Sequence, residues 1–243
     1  MQRFYLGPEN FRGDYIFSQD KKLIHQLGKV LRSKEGERFF IFDGTGDEYL
    51  AQLVTLDNQQ ARFLIIDKKT VSPEERGNLA LYCSLIKLEK FEILLQKCTE
   101  LGVSEIVPVA SHHSVIKGIT LPKKRRFNDI IKEATEQCGA SRFMKLGDVQ
   151  SFGQAIADCQ KRPGLKIIAY EKERANQLGA VDSLVFKQEV QAFIGPEGGF
   201  SAEEIEAGRE ARFTVVGLGS RILRAETAAI SVAALYYLNS YKT

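Results

Sequence analysis

The sequence predicts an α/β chain, with a small β-rich module ahead of a parallel sheet covered on both faces by helices. Three observations carry this. Residues 1–70 hold strand-like runs and tight turns with one short helical pattern. From residue 79 onward apolar strand-like runs alternate with helical periodicity, the pattern of a parallel sheet. Near the C-terminus two glycine-centred turns of one build each leave an apolar run and enter a helix.

In the first module, Leu23, Ile24, Leu27 and Leu31 share one face of a short helix that Gly28 interrupts. Arg38 to Phe42 reads as a strand, Asp43-Gly44-Thr45-Gly46-Asp47 as a turn, and Glu48 to Thr55 as the returning strand of a hairpin. Gln60 to Asp67 is a third strand. The polar stretch from Asp67 to Asn78, with Ser72, Pro73 and Gly77, reads as a linker. The expected domains are therefore 1–70 and 71–243.

Leu79 to Ile86 is the first strand of the second domain. Glu89 to Leu101 is a helix with Phe91, Leu94, Leu95, Cys98 and Leu101 on one face, stopped by Gly102. Ile106 to Ala110 is a strand. Lys123 to Cys138 is a helix with Phe127, Ile130, Ile131, Ala134 and Cys138 inward, stopped by Gly139. Leu165 to Tyr170, Val190 to Ile194 and Phe213 to Leu218 are further strands, and Thr227 to Leu238 is the closing helix.

Composition narrows the class. The chain has 243 residues, 44% of them hydrophobic, which suits a globular fold. No apolar run reaches the roughly 18 residues of a membrane helix. Met1-Gln2-Arg3-Phe4-Tyr5 begins with strand-like residues rather than a signal-peptide core, so the cytoplasm is the expected compartment. Cys83, Cys98, Cys138 and Cys159 are widely spaced, against zinc spacings and for reduced thiols. Charge is uneven: the net charge is +3, yet eight Lys/Arg from Lys117 to Lys145 face only Asp129, Glu133 and Glu136. Such a stretch is either a solvated helix face or a phosphate-facing surface.

The two turns carry the chemistry. The first is Phe193-Ile194-Gly195-Pro196-Glu197-Gly198-Gly199-Phe200-Ser201, and Ser201 with Glu204 forms a capping box for the next helix. The second is Val216-Gly217-Leu218-Gly219-Ser220-Arg221-Ile222-Leu223-Arg224-Ala225-Glu226-Thr227. Both fall beyond strand C-termini, where α/β sheets bind ligands. No Gly-Lys-Ser/Thr follows, and Pro196 and Glu197 break a Gly-x-Gly-x-x-Gly spacing, which argues against a ligand held mainly by phosphates. Arg224 and Glu226 place a cation and a carboxylate at the mouth of the last helix. One turn alone is equally an ordinary βα connection, and the charges alone are equally a salt-bridged helix start.

Together these turns resemble the signature of SPOUT-superfamily methyltransferases. Within that group they are similar to the ribosomal RNA small subunit methyltransferase E family, which methylates N3 of a uridine in small-subunit rRNA. The likeness continues in His25-Gln26-Leu27-Gly28-Lys29-Val30-Leu31-Arg32, in Ile93 to Val103, and in Glu133-Ala134-Thr135-Glu136-Gln137-Cys138-Gly139 with Arg142, so it spans nearly the whole chain. His112-His113-Ser114 departs from it, standing where an Arg-Ser type pair is expected.

The resemblance implies a PUA-like N-terminal β-barrel for RNA, a C-terminal SPOUT domain with a parallel sheet and deep trefoil knot, a homodimer, and S-adenosylmethionine as cofactor. No metal is implied. The expected cofactor wall is Ile194, Gly195, Pro196, Glu197, Gly198, Leu218, Gly219, Ile222, Leu223 and Ala228, with Tyr170-Glu171 as a weaker candidate. Arg224 is the expected catalytic cation, and Glu226 either the base or the partner that orients Arg224. Expected RNA contacts are Lys29, Arg32, Lys87, Lys117 and Arg142. The implied substrate is small-subunit rRNA, naked or within the assembled 30S subunit. The rival readings are a related enzyme acting on another rRNA or tRNA nucleotide, a non-catalytic RNA binder, and a phosphate-binding hydrolase.

Overall fold

The computed structural model of the chain describes residues 1–70, 78–180 and 189–240. Of the expected linker, residues 71–77 lie outside the described residues. The chain divides into two compact units. The first is Met1–Glu75 with Thr135–Phe143, and the second is Arg76–Ala134 with Met144–Thr243.

Period-two burial builds the first unit. Six strands, β1 (Arg3–Tyr5), β2 (Phe11–Arg12), β3 (Tyr15–Ser18), β4 (Arg38–Phe42), β5 (Asp47–Leu56) and β6 (Ala61–Thr70), form one sheet in the order β1-β4-β5-β6-β3-β2. β1 joins β4 in parallel, and the other pairs are antiparallel. Alternate residues Ile16, Phe39, Ile41, Ala51, Leu53, Ala61 and Phe63 meet in one core, so the sheet curls around a common interior. The β4–β5 hairpin is the expected one, and its turn is fixed by Asp43, whose carboxylate accepts from both the N–H and the hydroxyl of Thr45 at 2.8 Å.

Leu23, Ile24 and Leu27 plug the same core from α1 (Lys21–His25) and the turn after it. Asp20 caps α1 by accepting from the Lys22 N–H at 2.8 Å. The expected helix changes character at its glycine: residues 26–31 continue as a wider π-type turn, and Arg32 ends it at φ +54°.

In the second unit seven strands run parallel: β7 (Leu79–Ser84), β8 (Glu105–Ala110), β9 (Lys145–Leu146), β10 (Gln150–Ser151), β11 (Leu165–Ala169), β12 (Val190–Ile194) and β13 (Thr214–Val216). Their order is β10-β8-β7-β12-β11-β13, with β9 also on β8. Thus β12 enters between β7 and β11, both earlier in the chain. Helices are α2 (Leu88–Glu100), α3 (Leu121–Cys138), α4 (Phe152–Gln160), α5 (Ala202–Glu210) and α6 (Ala225–Ser240). Gly102 and Gly139 follow α2 and α3 at φ +71° and +80°.

The rings of Tyr82 and Phe193 stack in parallel at 4.5 Å, with Phe152 and Phe213 edge-on to Phe193 at 5.8 and 5.4 Å. Phe152, Ala155, Ile156 and Cys159 of α4 and Ile205 of α5 complete this core. Burying each such ring contributes about 1.5–3 kcal/mol. α6 packs on β7 and β12 and against α2. Cys83, Cys98 and Cys159 are buried, and burial pushes their thiols up, Cys159 to about 12. Cys138, expected inward, is exposed, because it ends α3 where the chain turns away at Gly139. Among the described residues no helix is long and apolar enough to cross a membrane.

Candidate functional site

The adjacent strands β12, β11 and β13 all end at one cleft, and the N-terminus of α6 closes it. The cleft is lined from Ala169 to Glu171, from Ile194 to Pro196 with Gly199 and Phe200, by Leu218, Gly219, Arg221 and Leu223, and by Ala225 and Ala228. It offers about 510 Å³ of free space counted to its open mouth.

Each wall is fixed by backbone. The Ser201–Glu204 capping box is present: Ser201 N–H donates to the Glu204 carboxylate at 2.9 Å, and Glu204 N–H to the Ser201 hydroxyl at 3.2 Å. The other oxygen of Glu204 accepts from the His112 N–H at 2.8 Å, and His113 Nδ1 donates to the Gly199 carbonyl at 3.1 Å. The loop after β8 therefore braces the first glycine turn from outside. At Gly199 (φ +69°) a Cβ would stand 2.9 Å from the Glu171 carboxylate.

The second turn is held by the loop after β11. Gly217 N–H donates to the Asn176 carbonyl at 2.7 Å, and Leu178 N–H returns to the Gly217 carbonyl at 2.9 Å. Gly219 N–H donates to Gln177 Oε1 at 2.9 Å. A Cβ on Gly217 would lie 2.4 Å from the Glu173 carbonyl oxygen, so only glycine allows this approach.

Of the expected cofactor wall, Ile194, Gly195, Pro196, Leu218, Gly219, Leu223 and Ala228 line the cleft. Glu197 and Gly198 are exposed beside it, with Gly198 beneath His113, and Ile222 is 80% exposed. Tyr170 and Glu171 prove to be lining residues. The structure adds Phe200, Arg221 and Ala225, which lie within the two turns, and Ala169, which ends β11 just before Tyr170.

Arg224 is exposed and caps α6 with its carbonyl, which accepts from Ala228 N–H at 2.8 Å. A cation at the positive end of a helix costs about 0.3–1 kcal/mol, so fold stability gives no reason for Arg224. Among the described residues its guanidinium has no carboxylate partner. Glu226 is 9% exposed, and its carboxylate lies 3.4 Å from Lys90 Nζ on α2. The ion pair that the structure gives Glu226 is therefore with Lys90. Lys90 was missed because it is remote in sequence from the α6 turn it meets.

The basic residues differ in their surroundings. Lys29 and Arg32 are exposed on the π-type turn, and Lys87 is exposed at the start of α2. Lys117 donates to the Ser111 and His112 carbonyls at 2.5 and 3.2 Å, holding the loop after β8. Arg142 is exposed and bridges to Gly44 and Thr45 of the hairpin turn.

Comparison with known proteins adds to this geometry. The RNA methyltransferase domain family matches residues 73–237, and the RNA methyltransferase PUA domain matches residues 20–66. Ribosomal RNA small subunit methyltransferase E of Bacillus subtilis is 28% identical over 98% of this chain and 96% of its own length. The crystal structure of ribosomal RNA small subunit methyltransferase E from Neisseria gonorrhoeae, bound to S-adenosyl methionine, superposes with a TM-score of 0.83 at 31% identity, covering 96% of this chain and 95% of that one. A Legionella pneumophila methyltransferase in complex with S-adenosylmethionine gives 0.82 at 29% identity, with 96% of each chain covered.

Proposed function

The chain belongs to the ribosomal RNA small subunit methyltransferase E family, and from that premise we propose that it transfers a methyl group from S-adenosylmethionine to N3 of a specific uridine in small-subunit rRNA. The single observation that carries this is the cleft at the ends of β12, β11 and β13, built from two glycine turns, with Arg224 between its lining residues Leu223 and Ala225 in the chain. The residues fit the cofactor. Ile194, Pro196, Leu218, Leu223 and Ala228 offer apolar walls, the turns offer backbone groups, and Glu171 offers a carboxylate to a cationic ligand. Expected flanking contacts come from Glu197, Gly198 and Ile222.

S-adenosylmethionine supplies a methyl group already activated on a sulfonium, so the protein's work is orientation and charge. Uracil N3 becomes a nucleophile by passing its proton to a base, the Glu226 carboxylate in this reading, and the charge spreads onto the two flanking carbonyl oxygens. Arg224, without a carboxylate partner among the described residues, is the cation that meets that charge in this reading. Glu226 holds the start of α6 to α2 through Lys90, beside Ala225 and Ala228 of the cleft wall. N3 lies on the pairing edge, so the target base must be unpaired or flipped out. Lys29, Arg32, Lys87, Lys117 and Arg142 supply phosphate contacts in this reading.

Two features support the finer architecture. The entry of β12 between earlier strands, and the bonds from residues 176–178 to 217–219, support a trefoil knot in the second unit. Ile93 on α2 and Leu238 on α6, exposed on two helices that pack together, support a homodimer. The assembled 30S subunit in the cytoplasm is the proposed setting.

Arg224→Ala separates catalysis from binding. Turnover should fall by about 10²–10³, the cost of removing one charge-stabilising donor, while calorimetry with S-adenosylmethionine shows affinity within about threefold of wild type. A fall in cofactor affinity with unchanged turnover would overturn the assigned role.

A further inference from the structure

A second cluster of recognition chemistry lies in the first unit, on the outer face of its curled sheet. In β3, Ile16 and Ser18 point into the core, which turns Tyr15 and Phe17 outward. Arg62 on β6 pairs with Phe17 across the strands. Its guanidinium carbon sits 3.9 Å from the centre of the Tyr15 ring and 5.6 Å from that of Phe17. The guanidinium of Arg12 on β2 lies 5.7 Å from Phe17. Two aromatic faces and two planar cations thus form one row.

Beside the row is a recess lined by Glu9, Asn10, Arg12, Phe17, Gln19 and Gln60, about 490 Å³ to its open mouth. Asn10 already donates to the Gly7 carbonyl and to Glu9. Among the described residues the side-chain amides of Gln19 and Gln60 have no hydrogen-bond partner, and neither Arg12 nor Arg62 forms an ion pair. The Arg62 Nε is buried without a hydrogen-bond partner there. Glu9 is the one carboxylate in the lining, against the two guanidinium groups of the row.

We propose that this face binds an unpaired stretch of the substrate RNA: a base lies against Phe17 in the recess, its edge meets the Gln19 and Gln60 amides, and Arg12 and Arg62 meet the flanking phosphates. A protein or lipid partner is disfavoured. Aromatic faces interleaved with guanidinium planes match stacked bases and backbone charge, and free amides match base edges. Duplex RNA hides its base faces and gains nothing from the rings. The proposal rests on the reading of the chain as an RNA methyltransferase and adds the form of RNA that its first unit holds.

The test uses the full chain and two fluorescent probes, a single-stranded oligouridylate and a hairpin duplex of equal length. Phe17→Leu keeps the apolar bulk but removes the ring; Arg12→Gln removes an exposed cation. Anisotropy should show Phe17→Leu weakening the single strand about tenfold and leaving the duplex within about twofold. Arg12→Gln should lower the salt slope of single-strand binding by about one. Unchanged single-strand affinity in Phe17→Leu, equal losses on both probes, or failure of wild type to bind the single strand would each overturn the platform. Thermal melting checks that both variants fold, and Gln19→Ala with Gln60→Ala, expected to weaken the single strand severalfold, tests the recess should Phe17→Leu fail to fold. Calorimetry with S-adenosylmethionine runs alongside: cofactor binding without a single-strand effect sinks the platform alone, and absent cofactor binding sinks the methyltransferase reading instead.

Discussion

Replacing Gly217 with alanine tests whether the second glycine turn is held as the structure describes. The new Cβ would fall 2.4 Å from the Glu173 carbonyl oxygen and 2.5 Å from Gln177 Nε2. The Gln177 end can swing away, but the Glu173 oxygen is backbone and cannot yield without moving its loop. That loop is joined to residues 217–219 by hydrogen bonds of 2.7, 2.9 and 2.9 Å. Losing one or two of them at about 0.5–1.5 kcal/mol each, with overpacking of about 1–3 kcal/mol, gives a destabilisation of roughly 1.5–6 kcal/mol. If the loop relaxes before the cofactor arrives, part of this reappears as lost affinity, tenfold for each ~1.4 kcal/mol. Urea melts and calorimetry with S-adenosylmethionine, read together, capture the whole cost. Gly153→Ala on α4 is the control: nothing lies within 4 Å of its added Cβ, so it should be neutral or stabilising by up to about 1 kcal/mol. Wild-type stability together with wild-type affinity in Gly217→Ala would refute the reasoning.

The Lys90–Glu226 pair should appear in a double-mutant cycle of Lys90→Met and Glu226→Gln. Lys90 is 38% exposed, so after solvent screening the stability coupling is about 0.5–1 kcal/mol, and zero coupling would dismiss the pair. At Glu105 burial alone would raise the carboxyl, but hydrogen bonds from Arg162 at 2.6 Å and Lys145 at 2.9 Å outweigh it and hold the group below its ordinary value. A depressed carboxylate adds stability that is present above its unfolded value, about 4.3, and lost as pH falls through the folded one. Glu105→Gln should therefore be less stable than wild type by about 1–3 kcal/mol at neutral pH, with the gap closing below about pH 4 in urea melts. A gap independent of pH would contradict the linkage.

What the sequence disclosed was what depends on neighbouring residues. The Ser201–Glu204 box, the glycine stops at 102 and 139, and the apolar face of α2 are local, and all were legible. The Ser151–Gln154 capping box ahead of α4 was an equally local signal that went unread, although Phe152, Ala155, Ile156 and Cys159 have helical spacing. β9 and β10 are two residues each, too short for periodicity to register. Gly28 marked a break but not its form, because a π-type turn keeps Leu27 buried as a helix would. At the site, the glycine turns announced the cleft, whereas the Lys90–Glu226 contact depends on the packing of α2 on α6 and leaves no trace in local spacing.

The central claim is methyl transfer to N3 of a uridine, and one measurement meets it directly. Small-subunit rRNA, naked or within 30S subunits, is incubated with the protein and isotopically labelled S-adenosylmethionine, digested to nucleosides and resolved by mass spectrometry. The account predicts label in 3-methyluridine at a single site, and its loss in Arg224→Ala. Label in another nucleoside, or none in either form of the RNA while the cofactor binds, would contradict it.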